Sequence, residues 1–190
     1  MARCIQAIIL CVCLVGSAPA DDLVNRAHTP PQSPFHATGE ETLEWPRGSI
    51  EYQGRATISA KYRFVFDEEY GFPQNPHLFL MPALESQSTL PYLTRWIYQD
   101  GNPDKIQWTE KAEEIWVTNV AEAAAALLGE RLAAEVLAGR HEKVMGEAVV
   151  VIEGFHAGYE CDSPSFATRF VEVSRVISAP SATKRDMGGC

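Results

Sequence analysis

Cysteine is scarce in this chain, with 5 among 190 residues, and 3 of them, Cys4, Cys11 and Cys13, fall in the first 13 positions. That leaves Cys161 and Cys190, too few for a disulfide framework. Neither belongs to a CxxC pair. HExxH, GxSxG and a glycine-rich phosphate loop are also missing from the sequence, so the commonest signatures of zinc, serine-hydrolase and nucleotide chemistry are not written here. Basic side chains are outnumbered, 16 against 25 acids, for a formal net charge of −9. Such a field repels polyanions and makes nucleic acid a poor partner.

Long apolar runs are missing as well. The longest, "IQAIILCVCLV", is too short for a membrane helix of about 20 residues. It follows a single base, Arg3, and precedes "GSAPA", whose Ala18 and Ala20 have the spacing that a signal peptidase reads. Residues 1–20 are therefore expected to be a signal peptide. The protein is expected to be exported, into the periplasm if the source is a Gram-negative bacterium and otherwise secreted, with no transmembrane segment. Cleavage removes Arg3 and no acid, so 15 bases face 25 acids and the formal net charge becomes −10.

What is present is a patterned core. Residues 21–47 are rich in proline, serine, threonine and glutamate without an apolar period, and are expected to be an extended or disordered lead-in. His28 and His36 lie there without an acid or cysteine at ligand spacing. In "SIEYQGRATISAKYRFVF", from Ser49, the even positions Ile50, Tyr52, Ala56, Ile58, Ala60, Tyr62, Phe64 and Phe66 are apolar or aromatic and the odd ones mostly polar. That is the period of a strand with one dry and one wet face. Gly54 inside it predicts a bulge or bend.

"HLFLMPAL" reads as a second strand, "STLPYLTRW" as a short helix capped by Ser88, and "KIQWT" and "EIWVT" as strand pieces. The period changes in "NVAEAAAALLGERLAAEVLAGR", which predicts the principal helix. Asn119 and Glu122 stand in capping-box spacing, and Gly129 is a weak point, with two shorter helices as the alternative to one. "EAVVVIEGFHA" and "FATRFVEVSRV" predict a closing hairpin with "GYECDSPS" as its loop. Residues 178–190 read as a flexible tail.

The order bent strand, strand, strand, helix, strand, strand over residues 48–177 resembles small exported domains of the oligonucleotide/oligosaccharide-binding (OB) fold. The resemblance implies a mainly β, α+β domain built as a five-stranded, partly open barrel. It brings no active site with it.

An exported binding or interaction module without enzymatic activity, its partner a sugar or a peptide, is the expected function. No cofactor and no metal are expected. Aromatic side chains that would grip a ligand are Tyr70, Trp96, Tyr98, Trp108 and Tyr159. The alternative is a thiol- or metal-dependent enzyme centred on His156 and Cys161, with Glu160 and Asp162 beside the thiol. Two flanking acids raise a thiol pKa, the opposite of what a nucleophile needs. Asp67, Glu68 and Glu69 lack the alternating oxygen ligands of a calcium loop. In an oxidising compartment Cys161 bridges Cys190, or Cys190 joins two chains in a covalent dimer; the residues do not choose between these.

Overall fold

The computed structural model describes residues 26–38, 49–66, 76–98, 105–160 and 163–184. Cys161, Cys190, Tyr70 and the acidic run Asp67 to Glu69 lie outside them, as do residues 1–20.

The described residues are mostly strand with one principal helix, an α+β arrangement. β1 (Arg26–His28) and β2 (His36–Ala37) come from the proline-rich lead-in. β3 (Ile50–Val65) follows the sequence alternation: Tyr52, Ala56, Ile58, Ala60, Tyr62 and Phe64 are buried, while Glu51, Gln53, Arg55, Thr57 and Lys61 are exposed. β4 (His77–Pro82) turns Leu78 and Leu80 inward. A single turn of helix, α1 (Leu84–Gln87), leads to β5 (Tyr92–Tyr98), β6 (Lys105–Glu110) and β7 (Ile115–Val117).

"STLPYLTRW", expected as a helix, is thus mostly strand. Pro91 stands immediately before β5, Leu93 and Thr94 are buried, and β5 pairs on both sides, with β1 and β6. Tertiary pairing outweighs the weak local preference.

α2 (Val120–Leu137) is the principal helix, and it divides where the sequence suggested: Gly129 has φ 74° and ψ 161°, outside the helical region. The capping box does not form. Asn119 makes no side-chain cap bond, and its amide is used on β9 instead. β8 (His141–Glu160) and β9 (Ser163–Lys184) form the long closing hairpin. β9 runs well into the segment read as a tail, because the first half of β8 offers it pairing partners as far as His141 opposite Lys184.

Two sheets result among the described residues. One has the order β1-β5-β6; the other runs β2-β3-β4-β7-β9-β8, and β8 pairs again with β3. All ladders are antiparallel except β7 with β9, which is parallel. The β8–β9 ladder shifts register at six points, and this sheet is not a clean barrel.

The core lies between β3, β4, β7, β8 and β9, with Ile58, Phe64, Leu80, Ile115, Ile152 and Phe170 almost inaccessible. Each such side chain contributes about 1.5–3 kcal/mol on leaving water. Phe35, from the lead-in, is fully buried and packs against Phe155 at 5.4 Å between ring centroids. The lead-in docks here because Gly54 lets it in. At φ 141° and with no Cβ, Gly54 admits the Pro34 carbonyl where any side chain would collide with it. The register shift between Tyr52 and Arg55 on β3 is the expected bulge.

Candidate functional site

Alternation on β7 buries Ile115 and Val117 and turns Trp116 outward, 43% exposed. Its neighbours follow from the ladders. Trp116 is the Cα partner of Phe79 on β4 and of Ala167 on β9; Ala167 partners His156 on β8, and His156 partners Glu51 on β3. This row runs across the outer face of the sheet with Trp116 in its middle.

On one side of the indole lie His77 and Phe79, their ring centroids 6.3 Å apart, with His77 6.1 Å from Trp116. The Arg63 guanidinium sits 5.6 Å above the Phe79 ring and donates through Nη2 to both carboxylate oxygens of Glu114, at 3.1 and 2.9 Å. The aromatic edge is therefore held by a cation over one ring and an acid beside it.

On the other side His156 Nδ1 lies 2.6 Å from Glu51 Oε1. A carboxylate only accepts, so Nδ1 is the donor of this bond. One turn of the alternation further along, Arg55 donates to Glu153 at 2.7 Å and Arg169 donates to the other oxygen of the same carboxylate. The hydrogen bond from Arg55, and next that from Arg169, hold Glu153 below the ordinary glutamate range, so it stays ionised.

Three cavities meet at Trp116. The first, about 370 Å³, is lined by Glu51, Glu153, His156, Thr118 and Arg169 as well as the indole. The second, about 560 Å³, reaches from Trp116 and His77 to Asn119, Val120 and Leu137 of the helical segment. The third, about 330 Å³, lies over Phe79, Glu114 and Phe166. Together they make a shallow groove with an aromatic floor and charged or hydroxyl-bearing rims.

The aromatic residues expected from sequence fall elsewhere. Tyr159 is 6% exposed, in the core, with its hydroxyl unpartnered among the described residues. Burial, and next the Glu110 charge, push its phenol up to about 12. Trp108 is 52% exposed, on β6 opposite Arg95 in the smaller sheet. Trp96 and Tyr98 are on β5 of that sheet, opposite Gln107 and Lys105. Tyr70 lies outside the described residues. His156 does belong to the groove, with Glu51 as its partner; Cys161 is again outside what is described.

Trp116, Phe79 and His77 lie outside the set of ligand-gripping aromatics expected from the sequence. The signal was there in "EIWVT" and "HLFLM": an aromatic at the wet position of an alternating strand. Among the described residues no cluster of three metal-ligating side chains occurs, and no helix is long and apolar enough to cross a membrane. Comparison of the chain with protein-family models, with curated proteins and with solved structures gives no match.

Proposed function

We propose that this protein is an exported, non-enzymatic binding module built on an OB-like barrel, and that its groove binds a saccharide with one ring stacked on Trp116. Three features support the barrel. The pairings β3-β4-β7-β9-β8 return to β3, β7 and β9 run parallel, and α2 stands between β7 and β8 in the chain. The Cα partners Glu51, His156, Ala167, Trp116, Phe79 and Arg63 lead round to β3 again, displaced from position 51 to position 63, the stagger that a tilted, closed sheet requires.

The observation that carries the function is Trp116 itself, an indole turned outward where three cavities join. With His77 and Phe79 beside it and polar side chains at the rim, the indole offers a flat apolar surface and hydrogen-bonding groups within reach of one ligand. A pyranose has an apolar face to lay on it and a hydroxyl edge for Thr118, Glu51 and Arg169 at the rim. Pockets of a few hundred Å³ are the size of one or two such rings. The groove is shallow, which suits a sugar lying flat better than a peptide anchored by a deep side chain.

Calorimetry against a panel of neutral and acidic oligosaccharides tests this. Trp116→Ala abolishes binding while Trp108→Ala leaves it within about twofold. Binding that survives Trp116→Ala, or a wild-type protein that takes a peptide and no saccharide, overturns the reading. Export through cleavage after Ala20 puts Asp21 at the N-terminus of the mature protein, as mass spectrometry would read it.

A further inference from the structure

Two of the cavities at Trp116 lie on one line. On β7 the third borders Glu114 and Trp116, and the first borders Trp116 and Thr118. On β9 the third borders Pro164 and the first borders Arg169. The two strands run parallel with Trp116 beside Ala167, so both place the cavities in the same order. The third and the first therefore lie end to end along the strand direction, with the indole between them. The second opens to one side, toward Val120 and Leu137 of α2.

This line is longer than one sugar ring. From Glu114 to Thr118 the chain advances about 13 Å at the rise of a strand. Cavities of about 330 and 370 Å³ flank the indole over that length, each with room for a ring beside the one stacked on Trp116. Exposed side chains border both ends, Pro164 on the third cavity and Glu51 and Arg169 on the first, so a chain can run past each of them.

The charges along the line balance. Its carboxylates are Glu114, Glu51 and Glu153, and its guanidinium groups are Arg63, paired with Glu114, and Arg55 and Arg169, both paired with Glu153. Glu51 accepts from His156. Neither carboxylate nor guanidinium is left in excess to hold a charged ligand. A carboxylate has about four acceptor sites and a guanidinium five donors, so each can meet a sugar hydroxyl without giving up its partner.

We propose that the groove binds an interior stretch of a neutral, linear polysaccharide, at least three pyranose units long, with the middle ring on Trp116 and one ring in each cavity of the line. The inference rests on the saccharide reading above and adds the class of sugar. The ligand is an uncharged polymer held along its length, not by an end.

The test is calorimetric titration of the full mature chain with cello-, manno- and malto-oligosaccharides of one to six units. In at least one series the affinity rises tenfold or more from the monosaccharide to the trisaccharide and levels off by the hexasaccharide. Raised salt leaves it within about twofold. A hexasaccharide with its reducing end converted to the alditol and its opposite terminal ring methylated keeps its affinity, because neither end lies in the groove. Phe79→Ala at the third cavity and Arg169→Ala at the first each cut the gain from chain length threefold or more. Melting curves of both variants check that the fold persists.

Four results overturn the inference and leave the saccharide reading standing. They are a monosaccharide bound as tightly as its hexamer, binding lost when the chain ends are blocked, oligogalacturonate bound tenfold tighter than every neutral chain, and an undiminished gain from chain length in both flanking variants. No binding to any saccharide, neutral or acidic, overturns both.

Discussion

The side chain of Asn119 takes the place of a strand residue against Phe170. Its Oδ1 accepts from the Phe170 N–H at 2.8 Å, and its Nδ2 donates to the Phe170 carbonyl at 2.9 Å. β7 ends at Val117, and the Thr118 N–H still reaches the Thr168 carbonyl at 3.0 Å. The amide then supplies one more rung to β9 before the chain turns into α2. The same residue cannot also cap the helix.

This predicts a sign that separates the two roles. At an N-cap, aspartate serves as well as asparagine and favours the helix dipole. Against Phe170, Asn119→Asp loses the donor and turns a carboxylate toward a carbonyl. Both Asn119→Asp and Asn119→Ala are therefore expected to destabilise by about 1–3 kcal/mol in urea unfolding. An unchanged or raised midpoint for Asn119→Asp would mean that the capping role dominates.

The faces of β3 give a sharper contrast. Ile58 is 1% exposed and Thr57, next to it, points to water. Ile58→Asp buries an unpaired charge and is expected to prevent folding or to cost more than about 4 kcal/mol. Thr57→Asp is expected within about 0.5 kcal/mol of the native protein. Equal losses would place a second covering layer over Thr57.

That alternation was legible because its cause is local: a strand with one wet face writes its burial into every second residue. What stayed hidden depends on partners far along the chain. "STLPYLTRW" contains nothing that announces β1 as its neighbour, and Asn119 looks like any cap until Phe170 is beside it. Phe35 sits among prolines and polar residues, yet it fills the core because Gly54, on another strand, leaves room for the Pro34 carbonyl. The groove depends on distant partners too. Trp116 gains its setting only when the pairing of β7 with β4 and β9 brings Phe79 and Ala167 alongside it, and neither partner is near it in sequence.

The docking of Phe35 through Gly54 is open to measurement. Phe35→Ala removes a fully buried ring and is expected to cost about 3–5 kcal/mol. Gly54→Ala sets a Cβ against the Pro34 carbonyl at a φ that side chains avoid, and releases the same segment. Because one event underlies both losses, the double variant should fall short of their sum by 1 kcal/mol or more. Strict additivity would show that residues 34–37 and Gly54 act independently.

Tyr159 gives the last prediction, and its sign comes from proton linkage. Burial, then the Glu110 charge, raise the native phenol to about 12, whereas a solvent-exposed tyrosine of the unfolded chain ionises near 10.0. The native state therefore holds a proton that the unfolded state has released. The contribution is fully present below pH 10, declines as pH rises from about 10 to 12, and is gone above that. In a spectrophotometric titration of the folded protein, part of the phenolate absorbance should appear late, and Tyr159→Phe should reduce that part, the remainder belonging to Tyr52 and Tyr62, whose phenols burial also raises. The variant should also lose less stability between pH 10 and pH 12 than the native protein does. At neutral pH it should be no less stable, since the Tyr159 hydroxyl has no hydrogen-bonding partner among the described residues and its removal relieves a buried polar group. A loss of 1 kcal/mol or more at pH 7 in Tyr159→Phe would reveal a partner for that hydroxyl and would remove the basis for its late ionisation.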